Sequence, residues 1–141
     1  MNGPHRFQFI TDADSVHIAV CGKTITELFH NCLCAMAACI EPTIFSAGQK
    51  AKKITKALRV EAVDINTLLV EFLSHALGLS DTHSAIFTHV AFKKMGDDFL
   101  EGELSGICAD KKEREIKAVA YDRVDIKRNP ATGLYETMLV F

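Results

Sequence analysis

Two stretches of this chain repeat apolar residues at helical spacing, while nearly every other patterned stretch alternates at spacing two. That division constrains the fold more than any other feature. In the first stretch Ile25, Leu28, Phe29, Cys32, Leu33 and Met36 recur at i, i+3, i+4 and i+7, which lines one face of a helix. Thr24 suits the N-cap, and Glu27 three residues on completes a capping box. Pro42 disfavours helix in the residue before it, so the helix is predicted to end near Ile40. In the second stretch Ile65, Leu68, Leu69, Phe72, Leu73, Ala76 and Leu77 form the stripe, Asp64 can cap it, and Gly78 stands near its expected end.

The remaining segments read as strands. An extended stretch from Phe7 to Val20 is broken by the acidic turn Thr11-Asp12-Ala13-Asp14-Ser15. Residues 46–53 are small and polar and read as a loop, after which Leu58, Val60 and Ala62 alternate with Arg59 and Glu61. Ile86 to Lys93 and Phe99 to Cys108 flank Lys94-Met95-Gly96-Asp97-Asp98, which has hairpin chemistry. Ile116 to Ile126 is predicted as one long strand, with Ile116, Ala118 and Ala120 on one face and Lys117 and Tyr121 on the other. Asp122 stands where an apolar residue would continue that pattern. Asn129-Pro130 and Gly133 make a turn before the last strand, Leu134 to Phe141. The expected fold is α+β, a single domain over residues 1–141 with a mostly antiparallel β-sheet and two helices packed on one face.

The chain's 141 residues suffice for one core without disulfide or metal staples. A formal net charge of −2 argues against a protein whose affinity comes from neutralising nucleic-acid phosphates. Five cysteines with no C-x-x-C pair point to reduced thiols and a cytoplasmic setting. Three of them, Cys32, Cys34 and Cys39, fall on the first helix, where packing explains them better than nucleophilic catalysis. No secretory signal is apparent, and no apolar run approaches the ~18 residues of a membrane span. Gly22-Lys23-Thr24 lacks the rest of a phosphate-cradling loop. Lysine-rich runs at Lys50, Lys52, Lys53 and Lys56 and at Lys111, Lys112 and Arg114 read as solvated faces.

A few residue groups carry chemistry. Asp12 and Asp14 lie two apart and offer the hard oxygen ligands that Ca²⁺ or Mg²⁺ takes, or else satisfy backbone N–H groups of their own turn. Lys117 and Tyr121 offer an ammonium and a phenol to a phosphate or a partner's carboxylate, or else simply face solvent. His17, His30, His75, His83 and His89 are scattered, and none is assigned to a metal, although His17 follows the acidic turn closely. No Ser-His-Asp or Cys-His order stands out.

Four segments, taken in order, resemble the archease family. Phe7-Gln8-Phe9 leading into Thr11-Asp12-Ala13-Asp14 is similar to the family's H-T-A-D signature. Gly22-Lys23-Thr24 with Glu27-Leu28-Phe29 resembles G-x-T-x-E-E-L-F. Asp64 to Leu73 resembles D-L-x-x-L-L-x-x-W/F-L, and Glu115-Ile116-Lys117-Ala118-Val119-Ala120-Tyr121 resembles E-V-K-A-x-T-Y. The first and last of these are the specific ones, since the other two are generic amphipathic helices. The resemblance spans nearly the whole chain.

The resemblance implies an accessory protein of the RtcB-type RNA ligase, which joins 3′-phosphate or cyclic-phosphate RNA ends to 5′-hydroxyl ends. It implies help with ligase guanylylation and multiple turnover, in tRNA splicing or RNA repair, with contact to RNA indirect or weak. It also implies a divalent-metal site built from the H-T-A-D aspartate and an aspartate just before the carboxyl terminus. If Asp14 is the matching aspartate, the family histidine falls on Thr11 and Ser15 is a one-residue insertion, which suits a β-bulge. Aligned without a gap, the two positions fall on Ser15 and Asp12. The chain ends Leu139-Val140-Phe141 where the family has apolar-apolar-Asp-apolar, so the α-carboxylate of Phe141 is the third candidate ligand. Two alternatives stand beside the activator reading. One is a metal-dependent phosphoesterase using Asp12 and Asp14; the other is a diverged chaperone-like module without metal.

Overall fold

Both helical stripes form helices with the caps the sequence predicts. The computed structural model describes residues 6–11, 16–45, 51–109, 112, 115, 116, 118–120 and 124–141. Helix α1 (Ile25–Ile40) starts at Thr24, whose Oγ1 accepts the Glu27 N–H at 3.0 Å. The Glu27 carboxylate reaches back to the N–H of Lys23 at 3.2 Å, one residue before the position a standard capping box uses. Helix α2 (Ile65–His83) starts at Asp64, whose Oδ1 accepts the Thr67 N–H at 2.7 Å. That bond holds the Asp64 carboxyl below the usual carboxylate range.

The predicted stop at Gly78 is overturned. α2 runs on to His83 and ends where Ser84 takes the left-handed conformation, φ 49°. The extra turn is retained because it has contacts of its own. Ser80 is buried and donates its hydroxyl to the Ala85 carbonyl, and its Oγ accepts from Lys112 Nζ at 2.9 Å. Lys112 also pairs with Asp81 at 3.3 Å, so one of the predicted solvated lysines is tied to the helix end.

Among the described residues seven strands form two antiparallel sheets. They are β1 (Phe7–Thr11), β2 (Val16–Gly22), β3 (Lys53–Glu61), β4 (Ala85–Met95), β5 (Phe99–Cys108), β6 (Lys127–Arg128) and β7 (Tyr135–Val140). One sheet has the order β1-β2-β7-β6, the other β3-β5-β4. The β4–β5 hairpin is the one the sequence predicts, and two bulges interrupt it, after Phe87 and after Phe92. Opposite those residues stand Gly106 and Gly102. A Cβ on Gly106 would meet the Ile86 carbonyl oxygen at 2.0 Å, and one on Gly102 the Ala91 oxygen at 2.6 Å. The bulged strand bends onto β5 closely enough that only glycine fits there.

α1 packs on β2 of the first sheet and on β4 of the second, so it lies between them. Every residue from Asn31 to Ile40 is buried, a wider burial than the one-face stripe predicts. Ala35, Ala37 and Ala38 make this feasible, since small side chains let strands approach on the remaining sides. α2 covers β3 and β4, and Phe72 meets Phe29 and Phe92 with ring centroids 5.7 Å from each. The sheets' inner faces add Ile18, Leu139, Leu100 and Leu104, all without exposed surface.

The predicted long strand from Ile116 to Ile126 does not form among the described residues. Ile116 and Val119 are buried and Ala118 is exposed, so the spacing of two predicted for Ile116, Ala118 and Ala120 is not kept. The hydrogen bonds explain why. Ala120 N–H reaches the Val140 carbonyl at 3.0 Å, but Asp125 N–H goes to Thr137 Oγ1 at 3.2 Å and Ile126 N–H to Asn66 Oδ1 at 2.8 Å. Side chains of β7 and α2 take donors that a regular ladder would need, and strand pairing resumes only at β6.

Candidate functional site

Of the residues the sequence singles out, Asp12, Asp14, Lys117 and Tyr121 lie outside the described residues, as does Asp122. The described residues that flank them are brought together at one end of the first sheet. Thr11, the last residue of β1, pairs with Val16, the first of β2. His17 pairs with Val140 in the same sheet. Phe141 N–H donates to the Val16 carbonyl at 3.1 Å, and Ala120 N–H donates to the Val140 carbonyl. Four separate stretches of chain therefore meet within two rows of one ladder: the end of β1, the start of β2, the end of β7 and the stretch at Ala120.

The local causes are legible. Alternation along β2 buries Val16, Ile18 and Val20 and leaves His17, Ala19 and Cys21 on the other face. β7 is drawn in beside it by the fully buried Leu139, which stands opposite Ile18. An opening of about 490 Å³ lies toward the other end of this sheet, over Ala19, Cys21, Glu136 and Met138. Val16, Val140 and Phe141 do not line it. An open groove over a sheet face is a weaker indication of chemistry than converging chain ends, so we place the candidate site at the latter.

A second grouping escapes the sequence reading. His30 on α1 and His89 on β4 face each other, Nε2 to Nδ1 at 3.1 Å, with rings at 73°. Cys34, one helical turn from His30, lies 3.8 Å from its Nδ1 and donates its thiol to the Thr88 carbonyl at 3.3 Å. Burial, and then the neighbouring His89, lower the His30 pKa. Burial pushes the Cys34 thiol up to about 11. Both shifts oppose a thiolate–imidazolium pair, so this is a packed seam rather than a nucleophile with its base. The i, i+4 spacing of His30 and Cys34 was the available signal; the strand that completes the group is remote in sequence.

Asn31, buried in the same helix, donates to the Cys21 carbonyl at 2.8 Å and ties α1 to β2. Cys32 and Cys39 are buried, as the stripe predicts, and Cys34 is buried with them. Among the described residues no group of three His, Cys, Asp or Glu side chains is placed to hold a metal ion. No helix among them is long and apolar enough to cross a membrane.

Comparison with known proteins bears on the whole of this arrangement. Residues 7–141 match the model of the archease protein family. The chain is 21% identical over 131 residues to the archease of Methanosarcina mazei, covering 87% of each chain. It is 29% identical over 116 residues to that of Pyrococcus furiosus, covering 77% of this chain and 79% of the relative. Among solved structures, protein 1598 of Methanobacterium thermoautotrophicum superposes with a TM-score of 0.61 at 21% identity, over 96% of this chain and 97% of the other. An archease of Thermotoga maritima, described as a possible chaperone, superposes at 0.64 and 17% identity, over 100% and 96%.

Proposed function

The chain belongs to the archease family, and from that premise we propose that it activates an RtcB-type 3′-phosphate RNA ligase in the cytoplasm. In this reading it promotes guanylylation of the ligase and its repeated turnover, in tRNA splicing or RNA repair. The observation that carries the reading is the family match over residues 7–141, which takes in every stretch meeting at the candidate site. The role is that of an accessory protein. The Cys34 thiol beside His30 keeps its proton because burial raises its pKa, so this pair is not an activated nucleophile. Lys117 and Tyr121 face the ligase in this proposal, and the partner's active site does the chemistry.

A hard divalent cation belongs to the proposal as well. Its ligands would be Asp14, Asp12 and the α-carboxylate of Phe141, an all-oxygen set of the kind Ca²⁺ or Mg²⁺ accepts. The backbone supports that set to the extent that Phe141 sits against Val16, next to the strand end from which the acidic turn leaves. A cation there would supply positive charge toward the phosphate chemistry of the ligase. No carboxylate side chain stands in Leu139-Val140-Phe141, where the family's second aspartate is expected, and that favours a second reading, a chaperone-like module working without metal.

The test is a pull-down and a single-turnover guanylylation assay with the cognate ligase. Faster guanylylation in the presence of the chain is expected, and no association with no change in rate would sink the proposal. Calorimetry with Ca²⁺ and Mg²⁺ separates the two versions. Heat that disappears in Asp14→Ala supports the metal site; no heat with activation intact supports the metal-free module.

A further inference from the structure

We propose that His30 and His89 seat a divalent transition-metal ion of the Zn²⁺ class, with Glu27 as its third ligand. This site is separate from the acidic turn, and it offers borderline nitrogen donors where that turn offers hard oxygen. The geometry of the two rings comes first. His30 Nε2 and His89 Nδ1 stand 3.1 Å apart. Two Zn–N bonds of about 2.0–2.1 Å at a tetrahedral angle hold their nitrogens about 3.3 Å apart, so the pair is already close to a chelating separation.

The neighbours of His30 decide which of its nitrogens carries the lone pair. The bulge in β4 leaves Thr88 without a cross-strand partner, between Phe87 opposite Gly106 and His89 opposite Ser105. The Thr88 carbonyl takes the thiol proton of Cys34, so the sulfur is left to accept, and His30 Nδ1 lies 3.8 Å from it. A neutral His30 therefore keeps its proton on Nδ1 and turns the Nε2 lone pair toward His89. That is how a metal-ligating histidine is held, with its other N–H on a neighbouring acceptor. Burial, and then His89, lower the His30 pKa, so the ring is uncharged and able to ligate at neutral pH. Without metal, His89 donates from Nδ1 to that lone pair. His89 is exposed, so its proton can pass through solvent to Nε2 when a metal takes that place.

Glu27 supplies the third group. It stands three residues before His30, so both side chains share one side of α1, the Glu-x-x-His spacing that helical metal sites use. Both line an opening of about 410 Å³ beside Val90, the residue after His89. One Glu27 oxygen accepts the Lys23 N–H at 3.2 Å, a long bond at an exposed helix start. Two ligands are thus in place, and one rotation of the Glu27 carboxylate away from Lys23 brings the third. Arg6 lines the same opening and opposes a cation there, which the Glu27 charge offsets. Two imidazoles and one carboxylate leave further positions open on the ion.

Calorimetric titration of the untagged, reduced full chain with Zn²⁺ tests the proposal. One site is expected; His89→Gln should weaken it at least about tenfold, and Glu27→Gln should weaken it less. Far-UV circular dichroism of His89→Gln should be unchanged, because that side chain is exposed. Long-range ¹H–¹⁵N spectra of the imidazoles give a readout on the unaltered chain. Zn²⁺ should shift His30 Nε2 and His89 Nδ1, leave the proton on His30 Nδ1, and leave His75 and His83 where they were. No Zn²⁺ uptake, uptake unchanged in His89→Gln, or uptake lost in Asp14→Ala instead would each overturn it. So would shifts confined to other histidines, or Co²⁺ uptake with thiolate charge-transfer bands, which would put the ion on cysteine.

Discussion

The two sheets are built from different parts of the chain. The β3-β5-β4 sheet comes from the middle, with strands of 9, 10 and 11 residues and a direct hairpin between two of them. The β1-β2-β7-β6 sheet joins the chain's beginning to its end, with strands of 5, 7, 6 and 2 residues. The candidate site lies at one end of that second assembly, where Thr11, Val16, Ala120 and Phe141 meet. The middle sheet pairs residues no further apart than Lys53 and Ile107, whereas the site exists only after the two ends of the chain, as distant as Val16 and Phe141, have been brought together, a loop closure of higher sequence separation. The difference teaches that this protein separates its scaffold from its working end.

The sharpest way to break the scaffold is Gly106→Ala. Its Cβ would stand 2.0 Å from one backbone atom of β4 and 2.7 Å from another, and neither can yield without parting the strands. A loss above about 4 kcal/mol is expected, read as a collapse of the urea midpoint or of soluble yield. A variant with a native midpoint would show that β4 and β5 are less tightly joined than the bulges imply.

Leu139→Ala strikes the other sheet. Its side chain has no exposed surface and holds β7 against β2, so about 3 kcal/mol should go. Hydrogen exchange should then speed up in β1, β2 and β7 before it does in β5. Equal acceleration in both sheets would refute the separation of scaffold and working end.

A smaller, conditional effect joins the two through α1. His30 has a lowered pKa, from burial and then from His89, with Arg6 opposing its charge and Glu27 favouring it. The unfolded chain therefore binds a proton at His30 before the folded chain does. Stability should be full above the unfolded pKa, about 6.5, and should fall as pH drops from there toward the lower folded value. Urea midpoints between neutral and mildly acid pH should show this, and His30→Gln should flatten the slope. An unchanged slope in that variant would place the acid sensitivity elsewhere.

The smallest effect is a gain. Gly78 is exposed in the interior of α2, and nothing lies within 4 Å of a Cβ placed there. Gly78→Ala should raise stability by about 0.5–1 kcal/mol, measured by thermal melting. A loss would mean that the last turn of α2 depends on a bend at this glycine.

Much of the architecture was readable in the residues because its causes are local. Thr24 with Glu27, and Asp64 with Thr67, mark helix starts through bonds three residues long. Lys94 to Asp98 mark a hairpin through the preferences of glycine and aspartate in turns. What failed to show was decided by remote partners. The alternation from Ile116 to Ala120 promised a strand, but the donors of Asp125 and Ile126 were claimed by Thr137 and Asn66. Gly78 promised a helix end, yet Ser80 found a buried place against β4 and carried the helix further.

By itself, then, the sequence determined where the two helices start, where the middle hairpin turns, and which family the chain resembles. These rest on contacts within about one turn of helix or one turn of hairpin, and such contacts are written in neighbouring residues. Only the tertiary structure decided that α1 is enclosed between two sheets, that His30 meets His89 from 59 residues away, and that Phe141 closes onto Val16. Burial and strand pairing belong to pairs of surfaces, and a pattern in one segment cannot state what its partner will be.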